Sequence, residues 1–342
     1  MTDAAFLKRV FLALFAVGIV LLAWYLRGIV LLAFAAVLIG ILLTTIAGFV
    51  SRVLRLPHSV SVTVAVIALL ALFATGFVLF GVQIMTQFTE ITQTLPKSMA
   101  RLQQYLQQRE WGAQLLRAFE DFDLARARGT IMSIVQTSVS SLMDVTANLL
   151  VVFFGALYLA AQPRFYKAGL EQLVPASRRR QAQELLDTTG LALRQWLIGQ
   201  ILVMILVGTL VTIGLWLMDV RAALALGLIA ALLEFVPIIG PILAAIPGVL
   251  FALSDSWALG FYVALFYIAV QQVEGYVIYP LIQRSTVDLP PILAIFAIVT
   301  FGLIFGTLGV LLAAPLTVLI MVWIKVLYLR DTLHEKVKLP GR

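Results

Sequence analysis

The sequence predicts an all-α polytopic membrane protein of about eight transmembrane segments, with one polar helical excursion outside the membrane. Three observations predict it. The chain is 342 residues long, 62% hydrophobic and only 12% charged, with a mean hydropathy of +1.05. A soluble domain is about half apolar and about a quarter charged. Apolar runs long enough to cross a hydrocarbon core of ~30 Å recur along the chain, separated by short polar stretches. Two of these runs, 222–253 and 292–325, are too long for one upright span and are broken by glycine and proline.

The elements follow in order. Lys8 and Arg9 precede the apolar run Val10–Leu26, read as an uncleaved first helix because no small-x-small cleavage site follows it. Gly28–Val50 is the second span. Ser51–His58, with Arg52 and Arg55, is a basic loop, and Ser59–Val82 is the third span. Residues 1–82 thus form a first membrane region. Residues 83–144 change character: they are Gln-rich and charge-balanced. Leu95, Met99, Leu102, Tyr105 and Leu106 fall at helical spacing, followed by Leu115, Leu116, Phe119 and Phe122. That pattern predicts an amphipathic helical excursion whose apolar stripe packs on its own membrane domain or on a neighbouring subunit. Residues 145–342 form the second membrane region. It contains a span over 147–161 that Val145 and Thr146 extend, a basic segment 162–195, a span over 196–218, the two broken runs, a span over 257–280, and a basic tail.

Lys and Arg give the orientation. The N-terminal start, loop 51–58, segment 162–195 and the tail hold 15 of the 24 basic residues. Cytoplasmic loops are enriched in these residues, while long loops translocate regardless of charge. Both termini are therefore expected in the cytoplasm and the excursion outside. Arg178, Arg179 and Arg180 read first as a topology anchor and second as a grip on anionic lipid heads. The net charge of +7 is anchoring charge of this kind, and no nucleic-acid partner is expected.

Several chemistries are excluded. There is no cysteine, so no disulfide and no thiolate metal site. The two histidines, His58 and His334, are far apart in sequence, which argues against a metal site. No phosphate-binding GxxxxGK[ST] and no hydrolytic motif occurs. The chain is not expected to be an enzyme, and no cofactor is expected beyond H⁺ or Na⁺ as a coupling ion.

The first broken run is where function is expected. It holds one acid, Glu234, followed by Pro237-Ile-Ile-Gly240-Pro241. Pro241 lacks an N–H and Gly240 tolerates unusual φ, so a break is expected there. Irregular backbone survives inside a bilayer only where protein buries it or where it lines a wet cavity. Carbonyls left free at the end of the first half-helix would suit a cation beside Glu234, and N–H groups at the start of the second, near Ile242, would suit polar solute oxygens. In the following span Tyr267, Gln271, Glu274 and Ile278 share one helix face. Glu234 and Glu274 read either as transport carboxylates or as protonated or paired structural residues. A charge inside a membrane is costly and faces the protein interior. Asp255, Arg284 and Asp288 read as loop residues that cap helices.

A short pattern recurs in the two broken runs. Gly240-Pro-Ile-Leu-Ala-Ala245 and Gly309-Val-Leu-Leu-Ala-Ala314 share G-x-x-L-A-A, with Pro247 and Pro315 close behind. Paired interrupted segments are a pointer to a transporter's binding site, expected in the cavity between them. Kinked spans and re-entrant hairpins are both open readings of these runs.

The acid before Pro237-x-x-Gly240-Pro241, the stretch Glu274-Gly-Tyr-Val-Ile-Tyr-Pro280, Asp288-Leu-Pro-Pro291, and Gly302-x-x-x-Gly306-x-x-Gly309 with Pro315 resemble, in order and spacing, the autoinducer-2 exporter family of bacterial membrane proteins. Gly275 departs from the family pattern, where many members carry Asn. The resemblance implies a secondary transporter of the cytoplasmic membrane that self-associates. It exports a small polar solute such as autoinducer-2 or, alternatively, acts as a sodium/proton antiporter. A non-transporting envelope scaffold is a third reading. Glu234, Pro237, Gly240, Pro241, Gln271, Glu274, Gly306 and Gly309 are the candidate transport-site residues.

Overall fold

A computed structural model describes residues 24–71, 142–220, 222–283 and 290–335, with scattered positions between 74 and 108. The first expected span and most of the 83–144 excursion lie outside the described residues. Among those described, regular structure is helical throughout, as a polytopic membrane protein requires.

The helices in order are α1 (Arg27–Leu54), α2 (His58–Gly76), α3 (Leu142–Ala161), α4 (Pro163–Gln172), α5 (Arg179–Leu217), α6 (Ala223–Leu233), α7 (Ile239–Asp255), α8 (Trp257–Val273), α9 (Tyr279–Gln283), α10 (Pro291–Phe305) and α11 (Thr307–Trp323). A π-helical turn, Glu274–Ile278, joins α8 to α9, and a second, Ile324–Arg330, extends α11. Among the described residues, five helical stretches are long and apolar enough to cross a membrane: α1, α2, the stretch ending in α5, the α8–α9 stretch and α11 with its extension. α3 and α4 meet at 91°. The chain is a multi-pass membrane protein.

Both broken segments fold back on themselves. At ~1.5 Å per residue, residues seven or eight apart in one helix are separated by over 10 Å. Yet a Cβ on Gly240 would strike the carbonyl of Leu233, and a Cβ on Gly309 would strike the carbonyl of Phe301. Each run is therefore a helical hairpin and not one kinked span, and in the second hairpin α11 with its extension is long enough to cross the membrane. α6 (11 residues), α7 (17 residues) and α10 (15 residues) are roughly 16, 25 and 22 Å long, shorter than a ~30 Å core.

The first break lies at 234–238, just upstream of the expected Gly240-Pro241. Pro241 sits in the first turn of α7, where its missing N–H costs nothing. The positive φ at this break belongs to Ile238 (73°), and the second break has its own at Gly306 (69°). Gly240 is needed for close approach instead of for an unusual φ. A β-branched residue at positive φ is strained.

Small residues set the helix spacing, as expected where no hydrophobic effect drives association in lipid. A Cβ on Gly208 of α5 would meet Ala231 of α6, and one on Gly227 of α6 would meet Thr212 of α5. α6 is thereby clamped along α5, and the core of this half runs through Val203, Val211, Leu226, Phe251 and Val263. A second core joins α1, α5 and α11 through Leu31, Leu193, Trp196, Leu312 and Val318.

The basic segments gather at one end of the bundle. His58 Nε2 lies 3.2 Å from the Ala160 carbonyl, setting loop 55–58 beside the end of α3. Lys167 of α4 pairs with Asp187 of α5. Arg330 donates to Glu184 of α5 at 2.9 Å and to Asp331 at 2.7 Å, and Gln181 also donates to Asp331. The basic segment 162–195 is thus no simple loop: α4 lies across the bundle end, and α5 begins at Arg179 and runs unbroken for 39 residues into the membrane.

Candidate functional site

The α6–α7 break and the π-helical turn after α8 bring two buried carboxyls to one cleft. Glu234 caps α6; its backbone N–H still bonds to Ala230, so its side chain leaves the helix at a fixed angle. Gln200 of α5, itself buried, donates to the Glu234 carbonyl at 2.7 Å. Glu274 opens the π-helical turn, and Tyr267, Val270, Glu274 and Ile278 are all buried. Glu234 is 0% exposed and Glu274 3%, so neither reaches the surface.

They share a cleft of about 650 Å³ bounded by α5, α6, α7 and α8. Its walls are aliphatic, including Val207, Val211, Ala244, Val249 and Leu253. Its polar groups are Glu234, Tyr267, Gln271 and Glu274. Gly248 makes room for the Tyr267 ring, since a Cβ there would sit 2.5 Å from the phenol oxygen.

Unpaired polar atoms gather at this spot. Among the described residues, four buried side-chain polar atoms have no hydrogen-bond partner: both Glu234 carboxyl oxygens, Glu274 Oε2 and the Tyr267 hydroxyl. All four belong to residues lining the one cleft. Buried polar groups are otherwise paired with high fidelity, so a cluster of unpaired ones in one cleft makes it the candidate site. Two carboxylates facing one another in apolar surroundings repel, and a proton or a cation between them removes the repulsion. Much of the backbone at the break is already hydrogen-bonded. The carbonyls of Leu232, Leu233, Val236 and Pro237 accept N–H bonds within the break, and that of Glu234 accepts from Gln200. α7 begins at Ile239, earlier than expected, and the N–H groups of Ile239 and Gly240 are likewise taken.

The eight candidate residues separate into two groups. Glu234, Pro241, Gln271 and Glu274 line the cleft, with Pro237 and Gly240 forming the turn behind it. Gly306 and Gly309 lie in the second hairpin and do not line it. The cleft therefore sits between the first hairpin and α8, and not between the two hairpins. Of the capping residues, Asp255 ends α7, while Arg284 and Asp288 lie outside the described residues. Gln200 and Gly248 carry structural duties that the sequence reading passed over. Gln200 had a signal: it is a lone amide in the apolar run that follows Trp196.

Comparison with known proteins agrees with this architecture. The sequence profile of the AI-2E family transporters matches residues 11–329. The chain is 25% identical to the Bacillus subtilis (strain 168) "Putative transport protein YueF", over 76% of this chain and 74% of that one. It is 26% identical to the Escherichia coli (strain K12) "AI-2 transport protein TqsA", over 78% and 77%. A Thermotoga maritima "Putative transport protein" is 30% identical over 50% of this chain and 52% of its own.

The chain belongs to the AI-2E transporter family, and its membrane helices and carboxyl-bearing cleft are parts of a membrane transporter.

Proposed function

We propose that this AI-2E family member is a secondary transporter of the bacterial cytoplasmic membrane, and that it exports a small polar solute in exchange for H⁺ or Na⁺. The carrying observation is the pair of buried carboxyls, Glu234 and Glu274, in one membrane cleft, with both Glu234 oxygens and Glu274 Oε2 lacking a hydrogen-bond partner. A carboxyl pair of this kind holds a cation or proton and releases it when the surrounding helices reopen to the other side. Tyr267 O–H and the Gln271 amide supply donors for solute oxygens, and Gln271 and the carboxyls supply acceptors. The name of the Escherichia coli relative makes autoinducer-2 the first solute to test. The basic end faces the cytoplasm in this reading, with both termini there. The chain assembles as a homo-oligomer, using the 83–144 stripe or an early helix, and light scattering in several mild detergents tests that directly.

The antiporter reading has an observation of its own in its favour. The cleft walls are aliphatic, which suits a small ion held by two carboxyls better than a many-hydroxyl solute. Proteoliposomes separate the readings. Autoinducer-2 movement driven by a pH or sodium gradient supports export. Sodium/proton exchange with no solute flux moves the function to the antiporter. Absence of both, with intact folding, moves it to a scaffold.

A further inference from the structure

A second cavity, of about 700 Å³, lies away from the carboxyl cleft, between α1, α3 and α4. Its long walls are α1 from Ile29 to Val37 and α3 from Val151 to Leu159. Ala36 of α1 faces Gly155 of α3, and Gly40 faces Ala156 and Leu159, so the two helices run in the same direction. α4 crosses at 91° and closes one end with Phe165, Tyr166, Gly169 and Leu170. The cavity is thus a groove along two membrane helices with a roof at right angles to them.

The roof has the make-up of a helix lying in a membrane surface. Phe165, Leu170 and Leu173 are exposed, while Arg164 and Lys167 alternate with them. An amphipathic helix of this composition rests at the boundary between headgroups and acyl chains. The charge around it is one-sided. The contact between His58 and Ala160 brings loop 51–58 to the roof end of α3. Together, residues 51–58 and 162–180 hold seven Lys and Arg against one acid, Glu171. Further acids come from α5, where Asp187 pairs with Lys167 and Glu184 with Arg330.

We propose that this groove binds an anionic phospholipid, with one acyl chain lying between α1 and α3 beneath α4 and the phosphate held among the basic side chains of segments 51–58 and 162–180. Apolar walls alone would accept any lipid. Basic residues at the roofed end select the negatively charged headgroup, each adding attraction that falls off within a Debye length. The site is independent of the carboxyl cleft and stands whichever transport reading holds.

Gly169 offers a clean test, because a side chain there meets nothing within 4 Å and points to open space. Gly169→Leu plugs the groove, and by helix propensity it does not weaken α4. The full chain is purified, exposed to mixed micelles of phosphatidylglycerol and phosphatidylcholine, and weighed by native mass spectrometry. The wild type and Gly169→Ala are expected to retain phosphatidylglycerol in preference. Gly169→Leu is expected to retain at least about tenfold less, the loss that follows when two or more methylenes lose their apolar cover. Arg164→Gln with Arg178→Gln is expected to keep lipid binding but erase the headgroup preference. Equal retention by Gly169→Leu and wild type, with unchanged helical content, overturns the site. So does a wild type that shows no preference between the two lipids.

Discussion

Gly240 in the first hairpin and Gly309 in the second occupy the same place. Each begins the returning arm of a broken segment, and each presses against a carbonyl of the outgoing arm, Leu233 in one case and Phe301 in the other. Each break contains one positive φ, at Ile238 and at Gly306. The hairpins diverge in what they present. The first carries Glu234 into a cleft shared with Glu274. The second has no charged residue between Pro291 and Ile324. The repeated G-x-x-L-A-A pattern therefore marks the turn and the close approach. The chemistry comes from the side chain that one turn exposes. The hairpins also differ in how they are held. α6 of the first is seated along α5 by Gly208 and Gly227 inside the membrane, while α11 of the second is tied to α5 at its end by Arg330, Asp331, Glu184 and Gln181.

The largest expected effect tests the chemical difference. Glu234→Gln and Glu274→Gln preserve size and remove the titratable charge, so at least one should abolish pH-dependent flux in proteoliposomes while thermal unfolding in detergent stays near wild type. Thr317→Val in α11 removes the hydrogen bond to the Ala313 carbonyl in the other hairpin, and flux should persist. Wild-type pH dependence in both Glu variants and in their double variant would falsify the carboxyl site.

How much of the fold and site is legible in the sequence follows from which signals are local. Glu234 stands out because an acid in an apolar run is expensive, and helical spacing alone puts Tyr267, Gln271 and Glu274 on one face. The break is visible as Gly and Pro, yet its position slips by a few residues because proline is harmless in a first turn. Gly309 groups with the acids in sequence because it shares a local pattern with Gly240, and Gly306 lies three residues before it in the same broken run. Their separation from the cleft depends on tertiary packing that no local pattern encodes. The right-angle bend before α4 is hidden for another reason: its basic residues fit a loop as well as a surface helix. The π-helical turn at Glu274 has no composition signal at all.

Gly240→Val and Gly309→Val test the shared geometry. Both place a branched side chain against a backbone carbonyl that cannot yield, so each should destabilise by about 1–3 kcal/mol or more. Similar losses in melting temperature for the two confirm that the glycines do the same job. A tolerated Gly309→Val would break the equivalence and leave the pattern a coincidence.

Labelling tests the topology. Because the chain has no cysteine, Asp255→Cys and Ser177→Cys each report one position. An impermeant maleimide applied outside should label the first in intact cells and the second only after permeabilisation. The reverse result would invert the orientation inferred from the basic end.

The smallest expected effect concerns the polar tie on the second hairpin. The hydrogen bond from Arg330 holds the Asp331 carboxyl below its ordinary range, with Gln181 and the Arg330 charge adding to it and burial opposing. A carboxyl held low in the folded state stabilises above its unfolded value of ~3.9 and loses that contribution as pH falls through the lower, folded value. The Asp331 side chain is 22% exposed, so the tie is worth a surface pair's ~0.2–1 kcal/mol. Asp331→Asn should therefore lower the melting temperature by roughly 2 °C at pH 7, and the gap should close as the sample is acidified below about pH 4. Gly208→Val, in the apolar seam that holds the first hairpin, contains no titrating group and should show the same loss at both pH values. A gap for Asp331→Asn that persists at low pH would mean that both hairpins are held by packing alone.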